Sequence, residues 1–218
     1  MNSIKTYLAL GDSYTIGEQV PLTESFPYQT VQLLRKSVVL EDNLQTTVGV
    51  ENRRQGFAVP EIIAKTGWTT DELSAAIGQT IFLPRYDIVS LLIGVNNQYR
   101  GRSVEEFKTE FELLLNMAIQ FAGGLEKNVY VLSIPDWGIT PFAKDRDSKA
   151  IATEIDAYNI VCEKTASLFK THFINITNEQ RRDNEGADFL AADGLHPSGK
   201  EYKKWAVKLS QIILANLV

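Results

Sequence analysis

The side chains able to do acid–base or nucleophilic work are few. The chain holds two histidines, His172 and His196, and a single cysteine, Cys162. His196 lies in Asp193-Gly194-Leu195-His196-Pro197-Ser198. An aspartate three residues before a histidine can accept from one ring nitrogen and leave the other free for a hydroxyl. That hydroxyl is offered by Ser13, in Leu10-Gly11-Asp12-Ser13-Tyr14, directly after a short apolar run. The chemistry of such a set is acyl transfer, with Ser13 as nucleophile, His196 as general base and Asp193 orienting the imidazole. His172 opens a β-type run in Thr171-His172-Phe173-Ile174, at the end of a strand where catalytic groups do not gather, and is read as structural. Cys162 recurs with Ile151, Ile155, Tyr158 and Thr165 at helical spacing, which makes it a buried core thiol.

Acyl transfer also needs donors aimed at the oxyanion. Besides the Ser13 amide, Gly67 in Lys65-Thr66-Gly67-Trp68-Thr69 exposes a backbone amide, and Asn96 in Gly94-Val95-Asn96-Asn97 offers a side-chain amide. Taken singly each is an ordinary turn residue, yet each follows a different apolar run. Gly11 is read as permitting the tight turn before the nucleophile. The Gly-x-Ser-x-Gly signature is absent, so the α/β-hydrolase fold is not supported. A metal site built from Asp12, Asp193 and His196 lacks enough ligands in so histidine-poor a chain. The stretch Ile134-Pro-Asp-Trp137-Gly-Ile-Thr-Pro-Phe142 suits an apolar pocket wall, with Trp68 opposite and Tyr14 on the floor. Trp137 and Phe142 serve equally well as anchors of a long loop. Asp145-Arg146-Asp147 reads as a solvated charge cluster.

Two kinds of segment must position these residues. Short β-rich runs occur at 6–10, 61–64, 87–93, 128–134 and 172–176, and helical patterns lie between them. Val104 to Ala122 carries an apolar stripe through Phe107, Phe111, Leu114, Leu115 and Ala118, and Ser198 to Leu217 another through Tyr202, Trp205, Leu209 and Ile213. Further helices are expected over 27–36 and 70–81. Thr69-x-x-Glu72, Ser103-x-x-Glu106 and Ser198-x-x-Glu201 are capping-box patterns. The nearly continuous apolar runs at 88–93 and 129–132 suit strands covered on both faces. The alternation predicts one domain over 1–218, a doubly wound parallel α/β sheet of about five strands. Ligands in such a sheet bind beyond the carboxyl ends of the strands, and Ser13, Gly67, Asn96 and the loop after strand four all fall there.

The bulk numbers narrow the partners. At 218 residues, 44% hydrophobic and 22% charged, the chain suits an ordered globular domain. A net charge of -5 makes nucleic acid a poor partner. No run reaches the roughly 20 apolar residues of a membrane span. The start, Met1-Asn2-Ser3-Ile4-Lys5, lacks the pattern of a secretory signal, and a cytoplasmic protein is expected.

The four segments, in this order, resemble the SGNH hydrolases, or GDSL esterase/lipase family: Gly11-Asp12-Ser13, Gly67, Gly94-x-Asn96 and Asp193-x-x-His196. The resemblance implies a flavodoxin-like three-layer sandwich, a Ser13–His196–Asp193 triad, and an oxyanion hole of the Ser13 and Gly67 amides with the Asn96 side chain. It implies no metal or organic cofactor, and a small-molecule or lipid ester as substrate, lysophospholipids and thioesters among the candidates. A sugar acetyl ester is the alternative substrate, and a non-catalytic binding module on the same fold is a further one. The family's third block usually reads Gly-x-Asn-Asp, whereas Asn97 stands here in place of the aspartate.

Overall fold

The computed structural model describes residues 4–45, 56–183 and 188–216, with side chains of 38–45 excepted. Met1 to Ser3 and Leu217, used in the reading above, lie outside the described residues. Seven strands form: β1 (Ile4–Lys5), β2 (Tyr7–Gly11), β3 (Gly56–Phe57), β4 (Glu61–Ala64), β5 (Ile88–Leu92), β6 (Val129–Leu132) and β7 (His172–Ile174). Five of them make one sheet in the order β4-β2-β5-β6-β7, every neighbouring pair parallel. This is the flavodoxin-like order, as expected. The β1–β3 pair, too short to show a period in the sequence, forms a separate two-stranded sheet. All five residues of both β2 and β5 are buried, as are the four of β6, because helices cover both sheet faces.

The helices are α1 (Ser13–Ile16), α2 (Phe26–Gln45), α3 (Thr70–Gly78), α4 (Val95–Tyr99), α5 (Val104–Phe121), α6 (Ser148–Leu168), α7 (Thr177–Arg182) and α8 (Gly199–Asn216). α2 packs on α8, while α3, α5 and α6 form a second row. The expected end of the second helix at residue 36 is corrected: the helix runs to Gln45, past Val38 and Val39, whose β-branching hid the continuation from sequence. α3 stops at Gly78 rather than residue 81. Ile81 is almost fully exposed, so nothing rewards carrying the helix through glycine.

Of the expected capping boxes, only the first has its carboxylate turned back, with Glu72 accepting from the Thr69 amide at 2.9 Å. Ser103 and Ser198 accept from the amides of Glu106 and Glu201 at 3.1 and 3.3 Å, but the carboxylates go elsewhere. Glu106 faces Arg102 at 3.7 Å, and buried Glu201 accepts from the Trp205 indole at 3.1 Å and pairs with Lys204 at 2.9 Å. Asp147 is likewise more than a solvated charge: it caps α6, accepting from the amides of Lys149 and Ala150 at 3.0 Å each.

The chain enters the sheet at β2, turns outward to β4, then crosses back to β5 and continues away. The order therefore reverses between β2 and β5, and the connections leaving their carboxyl ends diverge there. A crevice opens at such a point in an open α/β sheet.

Candidate active site

β2 ends at Gly11, and side-chain volume there is impossible. A Cβ would stand 2.1 Å from Thr15 Oγ1 and 2.3 Å from the Leu92 carbonyl oxygen. Gly11 is thus needed for close approach of β2, α1 and β5 and not, as expected, for a turn conformation. Asp12 caps the single-turn α1, its Oδ1 accepting from the Tyr14 amide at 3.0 Å. Ser13 opens that helix, so its N–H has no acceptor within the helix. Gly17 ends it in the left-handed region, at φ 74°.

Beneath this turn the packing is aromatic. The Tyr14 ring lies 5.7 Å from the His196 ring and 6.2 Å from Trp205 of α8. Asp12 is completely buried, with Oδ2 unpartnered among the described residues. Burial pushes its carboxyl up to about 7, against the opposing effect of the Tyr14 amide.

Gly67, after β4, adopts φ 85°, and an added Cβ would meet nothing closer than Arg100 at 3.8 Å. Its conformation, not space, calls for glycine. Arg100 donates to the Gly67 carbonyl at 2.6 Å and to Glu72 at 3.3 Å. At Gly94 both reasons operate: φ is 128°, and a Cβ would be 2.7 Å from Ile134 and from Phe107. The bend starts α4, which carries Asn96. One Asn96 Nδ2 hydrogen goes to the Trp68 carbonyl at 3.0 Å, and the amide has a second.

The loop before α8 closes on itself around Asp193. Oδ1 accepts from the Leu195 and His196 amides at 3.0 Å each, and Oδ2 lies 2.6 Å from His196 Nδ1. Burial acts to raise the Asp193 carboxyl, but the hydrogen bonds from the His196 ring and the two amides outweigh it and hold it below the usual carboxylate value. The Phe142 amide donates to the Gly194 carbonyl at 3.2 Å, tying this loop to the one after β6. That second loop is anchored by buried Asp136, which meets Arg181 Nε at 2.8 Å and accepts from the Gly138 amide at 2.8 Å.

Ser13, Gly67, Asn96 and His196 line one cleft of about 180 Å³, together with Tyr14, Thr66, Val95, Tyr99, Trp137, Phe142 and Leu195. Four loops at one sheet edge thus deliver a hydroxyl, an imidazole backed by a carboxylate, and amide donors to a single apolar hollow.

The sequence model of the GDSL-like Lipase/Acylhydrolase family matches residues 9–204. The chain belongs to this family. Membership marks it as an ester hydrolase of the GDSL lipase/acylhydrolase type. Solved structures give the same fold: a lipase/acylhydrolase from Enterococcus faecalis has a TM-score of 0.67 at 19% identity, covering 98% of this chain and 97% of its own. Axe2, an acetylxylan esterase from Geobacillus stearothermophilus, has a TM-score of 0.70 at 18% identity, with 98% and 96% covered. TesA has a TM-score of 0.63 at 16% identity, with 96% and 98% covered. At these identities the likeness is one of fold. No curated protein sequence matches.

Within this GDSL hydrolase the residues singled out from sequence divide clearly. Trp68 does not line the cleft, contrary to expectation. Its side chain packs against the hydrophobic core, and its carbonyl holds Asn96. Trp137 is both wall and anchor: it lines the cleft while its indole N–H donates to Gln98 at 2.7 Å. His172 lies at the opposite end of the sheet, stacked on Tyr130 at 4.9 Å. Cys162 is buried, and burial pushes its thiol up. Among the described residues no group of three or more His, Cys, Asp or Glu is placed to hold a metal. Nor is any described helix long and apolar enough to cross a membrane.

Sequence reasoning missed Thr66, Val95, Tyr99, Leu195 and the brace Arg100. Thr66 and Leu195 adjoin Gly67 and His196, and Val95 with Tyr99 stand four apart on α4, a face the short helix is too brief to advertise.

Proposed function

We propose that the chain hydrolyses carboxylic esters through an acyl-enzyme on Ser13, with His196 and Asp193 completing the triad. The observation that carries this reading is the shared cleft of Ser13, Gly67, Asn96 and His196, with the Asp193 carboxylate 2.6 Å from the far nitrogen of the imidazole.

The carboxylate at Nδ1 favours the tautomer with Nε2 unprotonated, the form a general base needs. His196 Nε2 takes the Ser13 proton as Oγ attacks the ester carbonyl, and Asp193 stabilises the imidazolium that forms. The developing oxyanion is received by the Ser13 and Gly67 amides and the Asn96 Nδ2–H. His196 then returns its proton to the leaving alcohol, and a water, activated by the same imidazole, releases the acid. Among the described residues the cleft is lined by no Lys, Arg, Asp or Glu. That favours neutral esters, since a charged group entering an apolar hollow would go unpaired.

The test is Ser13→Ala with a p-nitrophenyl acetate assay and fluorophosphonate labelling with peptide mapping. Turnover and labelling both disappear while the melting temperature stays within about 2 °C, because the exchange removes one hydroxyl that makes no hydrogen bond among the described residues and leaves the backbone of α1 unchanged. Retained turnover, or label on another residue, refutes the mechanism.

A further inference from the structure

Of the two backbone donors proposed for the oxyanion, the Ser13 amide is fixed by its place at the start of α1. The Gly67 amide has no such support. Gly67 lies in the turn between β4 and α3, half-buried, with φ at 85°. Glycine has the widest backbone freedom of any residue, so an amide borne on it keeps one direction only if its neighbours hold it there. An oxyanion donor works by being aimed before charge develops. Whatever holds Gly67 therefore belongs to the working of the site.

Two side chains grip this turn, one on each side of the donor peptide in the chain, and neither lines the cleft. The Thr66 hydroxyl donates to Glu18 Oε2. Thr66 supplies the carbonyl half of the planar peptide unit whose N–H belongs to Gly67, so fixing Thr66 fixes one edge of that plane. Beyond it, Arg100 donates to the Gly67 carbonyl at 2.6 Å and is itself paired with Glu72 at 3.3 Å. The two grips start from different elements. Arg100 caps the end of α4, the helix of Asn96. Glu18 follows Gly17 at the end of α1, and its amide donates to the Ser13 carbonyl at 3.0 Å. Its second oxygen accepts from Gln19 Nε2 at 3.4 Å. Glu18 thus reaches from one donor to the other: its backbone is bound to Ser13, and its carboxylate to the residue just before Gly67.

Resting on the ester-hydrolase reading above, we propose that Glu18 is a positioning residue: through the Thr66 hydroxyl it sets the direction of the Gly67 amide and ties that donor to the turn of Ser13. Arg100 holds the same peptide segment from α4. Glu18 does not line the cleft, so it acts on the reaction through Thr66. Truncating its side chain leaves the bond to the Ser13 carbonyl in place, because that bond is made by backbone. The exchange therefore removes the Thr66 link and the long contact with Gln19, and leaves the end of α1 as it was.

The experiment measures kcat and KM for p-nitrophenyl acetate, with melting temperatures alongside, in the natural protein, Glu18→Ala, Glu18→Gln, Thr66→Val and the variant carrying both Glu18→Ala and Thr66→Val. Losing a whole oxyanion donor costs about 10²–10³-fold in kcat. A donor still present but loosely aimed gives up part of that, so Glu18→Ala should lower kcat roughly ten-fold with KM changed less than about two-fold. Glu18→Gln keeps an acceptor for the Thr66 hydroxyl and should retain at least half of the natural kcat. In Thr66→Val no hydroxyl remains to be held, so adding Glu18→Ala should cost less than about two-fold more. Half-buried Glu18 should leave the melting temperature within about 2 °C. A natural kcat in Glu18→Ala, a loss in Glu18→Gln as deep as in Glu18→Ala, or independent losses in the double variant overturns the positioning role. So does a larger fall in melting temperature that tracks the loss of kcat. If the natural protein shows no turnover, or Ser13→Ala keeps it, the ester-hydrolase reading itself falls. An inactive Ser13→Ala beside a fully active Glu18→Ala overturns the positioning alone.

Discussion

The family's more usual aspartate at the position of Asn97 gives a sharp test of how the site is held. Asn97 is completely buried between α4 and α3. Its Oδ1 accepts from the Thr70 amide at 3.1 Å, and its Nδ2 donates to Thr70 Oγ1 at 2.6 Å. The Thr70 hydroxyl in turn donates to the Glu110 carboxylate. Every proton has one place to go: amide to carbonyl, carboxamide to hydroxyl, hydroxyl to carboxylate.

In Asn97→Asp the second oxygen would face Thr70 Oγ1 where a donor stood, leaving one hydroxyl proton between two carboxylates. One acceptor is then buried without a partner, at about 1–3 kcal/mol. For a chain of this length each kcal/mol moves the melting temperature by roughly 2–4 °C, so the variant should melt roughly 2–12 °C lower. Glu110→Gln in the same background supplies a new donor to Thr70 Oγ1. That frees the hydroxyl proton for the introduced carboxylate, and at least half the loss should be recovered. The assay is thermal unfolding by circular dichroism of the natural protein, both single variants and the double variant, all at one fixed pH. Additive effects within about 0.5 kcal/mol, or an Asn97→Asp variant as stable as the natural protein, refute the proton arrangement.

Two further outcomes follow from the same site. Asn96→Ala should lower kcat about 10²–10³-fold with KM changed little, the consequence of removing one oxyanion donor. A loss confined to KM in steady-state kinetics would remove Asn96 from that role. Asp12 titrates in the folded chain at about 7 because it is buried. Its folded-state pKa lies above the unfolded value near 4, so the folded form keeps its proton longer, and stability is lost as pH rises from about 4 to about 7. At about 1.36 kcal/mol per unit of pKa the loss is about 4 kcal/mol. Asp12→Asn keeps an acceptor for the Tyr14 amide and should flatten that slope in urea titrations at stepped pH. An unchanged slope would place the titration elsewhere.

The architecture was legible because a strand buried on both faces reads as a short continuous apolar run, as at residues 88–92, and a helix as an apolar stripe at spacings of three and four, as at 104–121. The candidate reactive groups were legible because the choice was so small: two histidines, one of them three residues after an aspartate. What escaped was whatever depends on distant backbone. Gly11 is glycine because Thr15 and Leu92 crowd it, and no local pattern announces a crossing strand. Trp68 looked like a pocket residue by type, yet it is its carbonyl that serves the site, and carbonyls carry no sequence signature. Glu106 and Glu201 stand at capping positions but find better partners in Arg102, Lys204 and Trp205, where tertiary contact overrides a local rule.

In the proposed mechanism, the short helix α4 is what would hold the oxyanion donors in place. Asn96 holds the Trp68 carbonyl, Asn97 grips Thr70 through its amide and hydroxyl, and Arg100 holds the Gly67 carbonyl and Glu72. Three residues of one turn thus pin the whole segment 67–72, the segment that carries the second amide donor. On its other side, Gln98 ties Trp137 and Glu154, fixing the aromatic wall. A donor that must reorganise during the reaction gives up part of its electrostatic advantage, whereas a fixed one keeps it. Gly94, with φ 128° and no room for a Cβ, is what lets so brief a helix begin directly at the carboxyl end of β5. On the proposed mechanism the site therefore depends on this clamp across the switch point as well as on the turn of Ser13, and the clamp joins β4's loop to β6's loop through hydrogen bonds of α4.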